Sequence, residues 1–144
     1  MAVNVGQRNV ADTPGNRALY ACDEARRLAI HTIKICNSQN IFLPEYQSAL
    51  TNRIIALAVD IFTNAYGANN ILVNKEPARW HERHRMQELA VNECNRLLAL
   101  IQLAKTLFHL KTKKVKYWGE MTIKTRNYLQ KWKDGDVERY GHLR

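Results

Sequence analysis

Nine basic side chains crowd into residues 105–133: Lys105, Lys111, Lys113, Lys114, Lys116, Lys124, Arg126, Lys131 and Lys133. One acid, Glu120, stands among them, so this stretch carries +8 of the chain's formal +9. The first 104 residues balance eleven Lys/Arg against nine Asp/Glu, and residues 134–144 contribute −1. Lysines three or four residues apart share one face of a helix and can meet successive phosphates. Each neutralised phosphate releases condensed counterions, so affinity for such a ligand falls with salt. The candidate phosphate contacts are Lys111, Lys113, Lys114, Lys116, Lys124, Arg126 and Lys131. One-sided charge of this kind points to a polyanion, nucleic acid ahead of a membrane surface. The alternative is a solvated helix face with no ligand. Four aromatics interleave with the cations: Tyr117, Trp118, Tyr128 and Trp132. Trp118 and Trp132 fall on the apolar stripe and read as core anchors, whereas Tyr117 and Tyr128 are the more exposed candidates for stacking on bases. Nothing in the sequence specifies bases, since no helix-turn-helix, zinc-finger or RNA-stacking strand pattern occurs.

Catalytic and metal chemistry have little to stand on. The run His81-Glu82-Arg83-His84 resembles a metal motif, but its histidines are three residues apart rather than the four of HExxH. Arg79, Arg83 and Arg85 surround it and repel a cation, so it reads as an exposed basic helix start. No phosphate-cradling glycine loop is present, and the acids are scattered among bases. The expectation is a non-enzyme with no catalytic residue, no metal and no cofactor. A bundle holding a buried metal or small ligand is the enzyme-class alternative. Cys22, Cys36 and Cys94 are odd in number, form no CxxC and sit on apolar faces, which predicts buried thiols in a reducing compartment. The N-terminal residues are polar, and no run approaches the roughly 20 apolar residues that span a bilayer. The expected location is the cytoplasm.

The elements that must position the lysines are helices. Residues 1–16, with Gly6, Pro14 and Gly15, read as a flexible arm. A first helix is predicted over 17–37, with Leu19, Cys22, Ala25, Ala29, Ile33 and Cys36 as its inner stripe. Pro44 opens a second helix running to about residue 74, its stripe built on Leu50, Ile54, Leu57, Ile61, Ala65, Ala68 and Leu72. Gly67 within it marks a kink, a close contact or a tolerated weak spot. Pro77 opens a third helix. Its first part, 77–85, is polar and expected to project past the core. Its second part, 97–110, is so apolar that most of its sides should be covered. The fourth helix is predicted from 113 to 133, with Trp118, Met121, Thr125, Leu129 and Trp132 inward. Asp134-Gly135-Asp136 should end it, leaving 137–144 frayed. Short connections give an all-α, antiparallel up-down four-helix bundle over 17–136 as a single domain. The second and third helices would each be on the order of 45 Å long, with more apolar stripe than one core needs. That surplus predicts a homo-oligomer.

The chain resembles the accessory variability determinant (Avd) family of diversity-generating retroelements. These proteins belong to the four-helix-bundle superfamily that also holds proteins of ribosomal RNA intervening sequences. The resemblance covers roughly residues 20–140. It rests on RLAIHTIKIC at 27–36, ALTNRIIALAVDI at 49–61, ANN at 68–70, RMQELA at 85–90 and FHLKTKKVKYW at 108–118. It implies a basic, barrel-shaped homopentamer that binds the element's reverse transcriptase and its template-repeat RNA and supports mutagenic cDNA synthesis. The polymerase would do the catalysis. The implied partners are therefore the reverse transcriptase, template RNA, the cDNA copied from it and further copies of the chain, with no membrane. The family's individual contact residues do not map one by one onto this sequence. The alternative within the superfamily is an intervening-sequence-type interaction protein with no polymerase partner.

Overall fold

A computed structural model describes residues 13–144 of the chain. The described residues form four α-helices and no strand: α1 (Pro14–Cys36), α2 (Asn52–Asn70), α3 (Pro77–Leu107) and α4 (Thr112–Tyr140). The arm expected over 1–16 falls mostly outside the described residues. Its last members belong to α1. Thr13 is the N-cap, its hydroxyl accepting from the Asn16 amide at 3.3 Å, and Pro14 takes the first helical position, where a missing N–H costs nothing. Pro44 opens a single 3₁₀ turn (Pro44–Tyr46) and a π turn (Gln47–Thr51) before regular α geometry begins at Asn52. The second helix thus divides into a short irregular start and a 19-residue α2 of about 28 Å. It stops at Asn70, four residues early, because Ile71 is extended and Asn74 and Lys75 take left-handed φ of 50° and 63°. The third helix is the long one, with 31 residues and about 46 Å.

The core mixes alanines of α1 to α3 with large side chains from every helix, including Leu28 of α1, Ile54 and Ile61 of α2, and Leu97 and Ile101 of α3. Ala18, Ala21 and Ala25 of α1, Ala58, Ala65 and Ala68 of α2, and Ala90 and Ala104 of α3 are buried together. They bring backbones close, and Trp118, Leu129 and Trp132 of α4 fill the space, each fully buried. Full burial of one such side chain stabilises the fold by about 1.5–3 kcal/mol. The Trp118 indole N–H donates to Thr32 Oγ1 at 3.0 Å, which satisfies both groups inside the core. Thr122 and Thr125 donate to the carbonyls one turn back, at 2.9 Å each.

Four sequence expectations are corrected. On α1 the buried residues are Ala18, Ala21, Ala25, Leu28, Ala29, Thr32 and Cys36, so Ala25, Ala29 and Cys36 lie inward as expected while Leu19 and Ile33 face outward, 61% and 45% exposed. The apolar periodicity points about one position off, because alanines and a threonine count weakly as apolar yet share the inward register with Leu28. The start of α3 does not project, since Trp80 and Arg83 are buried. On the second part of α3, Leu103 and Leu107 lie open within the single chain. Helix α4 runs through Asp134-Gly135-Asp136 to Tyr140, and Gly135 and Asp136 are buried. Gly67 is a close contact: a Cβ there would lie 2.4 Å from the Met86 methyl.

Candidate nucleic-acid interface

The residues of α4 divide cleanly by register. Val115, Trp118, Thr122, Thr125, Leu129 and Trp132 recur at three- and four-residue steps and are buried. Lys113, Lys116, Glu120, Lys124, Asn127 and Lys131 recur at the same steps and are exposed. Four of the seven expected cations therefore share one outward strip, about 27 Å from Lys113 to Lys131 at 1.5 Å per residue. Lys111 and Lys114 are also exposed, at the start of the helix. That start has no side-chain cap and no acid in its first turn. Arg126 does not join the strip. Its guanidinium turns toward α3 and donates to Asn95 Oδ1 at 3.0 Å.

Neutralisation is limited. Lys124 Nζ lies 3.5 Å from Glu24 Oε1 of α1. Lys111, Lys113, Lys114 and Lys116 have no ion-pair partner among the described residues. An exposed pair such as Lys124–Glu24 contributes about 0–1 kcal/mol and can exchange its carboxylate for a phosphate at little cost.

Helix α1 forms the flank of this surface. Thr32 meets Trp118, His31 meets Tyr117 edge-on with ring centroids 5.3 Å apart, Glu24 meets Lys124, and Tyr20 stacks on Tyr128 at 6.0 Å. The two tyrosine candidates thereby separate. Tyr128 is half-buried and stacked on Tyr20, whereas Tyr117 is 59% exposed beside the unpaired lysines. Burial pulls the His31 imidazole below its ordinary pKa, and its Nε2 has no partner among the described residues. It braces Tyr117 as a neutral ring. Sequence reasoning missed the α1 contribution of Tyr20 and His31. No spacing within α1 signals it, since it acquires meaning only once α4 lies alongside.

A second polar cluster lies inside. Arg83 Nε donates to Asp136 Oδ2 at 2.7 Å, and Gln87 Nε2 donates to the same oxygen at 2.7 Å. Arg83 also donates to the carbonyls of Ile71 and Ala68 at 3.1 and 3.4 Å, and its guanidinium lies 5.2 Å from the centre of the Trp132 ring. One arginine thus caps the end of α2 and holds α4 onto α3. Arg83 of the metal-like run is spent in this way. Its neighbours Glu82 and Arg85 pair with each other, and His84 packs on Trp80. Among the described residues no three His, Cys, Asp or Glu side chains converge on a point that could hold a metal. No described helix is long and apolar enough to cross a membrane.

Compared with family models, curated proteins and solved structures, the chain matches none. Its chemistry is therefore read from its own surface. Cys36 and Cys94 are buried and Cys22 half-buried, with thiols pushed up by burial to about 12, about 12 and about 11. None is a nucleophile near neutral pH. The lysine strip with Tyr117 is the surface best equipped for a ligand.

Proposed function

We propose that the chain is a non-catalytic accessory protein that binds nucleic acid through the outer strip of α4. The observation that carries this is the alignment of Lys113, Lys116, Lys124 and Lys131 on one exposed side of a helix whose other side is anchored by Trp118 and Trp132. The arrangement supports electrostatic, sequence-tolerant binding, in which phosphates are neutralised and counterions released. In its specific form the reading follows the Avd resemblance. The chain is an up-down antiparallel bundle in a cytoplasmic homopentamer, and it joins a reverse transcriptase to template-repeat RNA and the nascent cDNA. Reversed residue pairings across α1 and α4 (Thr32 with Trp118, Glu24 with Lys124, Tyr20 with Tyr128) support the antiparallel element of this proposal.

The test is the triple substitution Lys113→Glu, Lys116→Glu and Lys124→Glu, with RNA affinity measured at several salt concentrations. Every phosphate that is no longer neutralised should lower the log–log salt slope by about 0.7–0.9, so the slope should fall by about 2 and binding near physiological salt should vanish. Circular dichroism should stay unchanged, because the substituted positions are exposed. Unaltered RNA affinity in this variant refutes the assigned face. A reverse transcriptase gene beside this one, and co-purification of its product with the chain, are the expected results that test the polymerase partnership; absence of both refutes it.

A further inference from the structure

Some of the apolar side chains left open by the fold line up. On α1, Leu19, Ile30 and Ile33 are exposed, Ile30 by 42%. With Asp23 and Arg26 they form one strip at three- and four-residue steps, and Arg26 is held by Asp23 at 2.7 Å. Ala56 and Leu57 of α2 and Ala99 and Leu100 of α3 line a groove rimmed by Arg53, Asp60 and Arg96. Leu103, 58% exposed, continues its wall one turn further along α3.

The charges on the two surfaces are complementary. The strip carries Asp23 and Arg26 between Leu19 and Ile30, with Arg27 also 3.2 Å from Asp23, and the groove carries Asp60 and Arg96 at its rim. Among the described residues neither Asp60 nor Arg53 has an ion-pair partner. A ridge of apolar side chains with a central Arg26–Asp23 pair can seat in this groove with Arg26 against Asp60 and Asp23 against Arg96. Ile30 and Ile33 then meet Leu57, Leu100 and Leu103. Net charge favours these faces too, since copies of a +9 chain can approach closely only where local charge is near zero. The lysine side of α4 stays out of the contact.

We propose that the α1 strip of one copy seats in the α2–α3 groove of the next. The contact is heterologous, using two different surfaces of each copy, and such contacts generate rings when the rotation closes. This rests on the homo-oligomer of the proposed function and supplies the interface that builds it.

The experiment uses two full-length variants. One blocks the strip (Ile30→Glu with Ile33→Glu), and the other blocks the groove (Ala99→Glu with Leu103→Glu). Light scattering coupled to size exclusion should show an oligomer for the unmodified chain and a monomer for each variant alone. A 1:1 mixture should give a dimer and stop there, because one intact strip meets one intact groove. A mixture that stays monomeric while the unmodified chain assembles overturns the proposal, as does an unmodified chain that is monomeric at micromolar concentration. Arg26→Asp should loosen assembly and Asp60→Arg in the same chain should restore it. Failure of the swap to restore counts against the register, whatever the single variants do. Binding of a short RNA is read in the same samples. Both monomeric variants keep the α4 strip and should retain it, so loss of assembly and loss of the nucleic-acid reading are separate results.

Discussion

Replacing Asp136 with alanine should be among the most damaging single changes in the chain. The carboxylate is 1% exposed and accepts from both Arg83 and Gln87 at 2.7 Å. Removing it leaves the Arg83 guanidinium buried without its counter-charge, facing the Trp132 ring and two carbonyls. Breaking a buried pair from one side costs about 3–5 kcal/mol, and the unmatched Gln87 amide adds to the loss. For a domain of this size each kcal/mol moves the melting temperature by about 2–4 °C, so Tm should fall by roughly 10 °C. The assay is urea and thermal denaturation followed by circular dichroism at one fixed chain concentration, since assembly would contribute by mass action. The loss should be nearly independent of salt, because the pair is shielded from water. Changing Arg83→Met and Asp136→Leu together should recover part of it, as an apolar replacement removes both charges at once. The recovery should be incomplete, because Arg83 also caps the Ala68 and Ile71 carbonyls. A loss below about 1 kcal/mol for Asp136→Ala would refute the idea that this pair fastens α4 to α3.

Other expectations can be checked with the same preparations. Thr32→Val strands the Trp118 indole N–H in the core and should cost about 1–3 kcal/mol, read by urea denaturation. Arg126→Gln should leave the salt slope of RNA binding nearly unchanged, since Arg126 bonds Asn95 rather than lying on the strip. His31 has a folded pKa held below its ordinary 6.5 by burial, so the unfolded chain takes up a proton that the fold resists. Stability should therefore drop as pH falls through and below about 6.5, and the urea midpoints of a His31→Gln variant should show less of this drop. The three thiols have raised folded pKa values, so alkylation at pH 8 should be slow in the native chain and fast in urea. The stability tied to those thiols is present below about pH 9 and is lost as pH rises toward 11–12.

Much of the helical layout was legible in the sequence, because Pro44, Pro77 and long apolar periodicities leave few options for where helices begin, although Pro14 reads as part of an arm and instead opens α1. The role of Trp118 and Trp132 was equally plain, since both fell on one stripe between lysines. The misreadings have physical causes. Leu19 and Ile33 are strongly apolar, and a hydrophobicity pattern weights them above Ala18, Ala21 and Thr32. The packing weighs them the other way, because the inward side of α1 is the one whose Thr32 hydroxyl accepts from the Trp118 indole N–H. Asp134-Gly135-Asp136 has the composition of a helix stop. Its acid is consumed by Arg83, 53 residues away, and Gly135 makes room for the Arg17 side chain, whose terminal nitrogen would sit 2.3 Å from an added Cβ. No local rule contains that information. The candidate surface was half legible. The spacing of the lysines placed four of them together, but whether Arg126 would join them depended on Asn95, and the contribution of α1 depended on the packing of two distant helices.

Helix α4 keeps its two tasks on separate letters of its sequence. Every position that anchors it is distinct from every position that charges its outer side, so lysines can be added, removed or exchanged for arginine with almost no effect on folding. The surface charge of such a rod can drift over many generations while the bundle itself stays put.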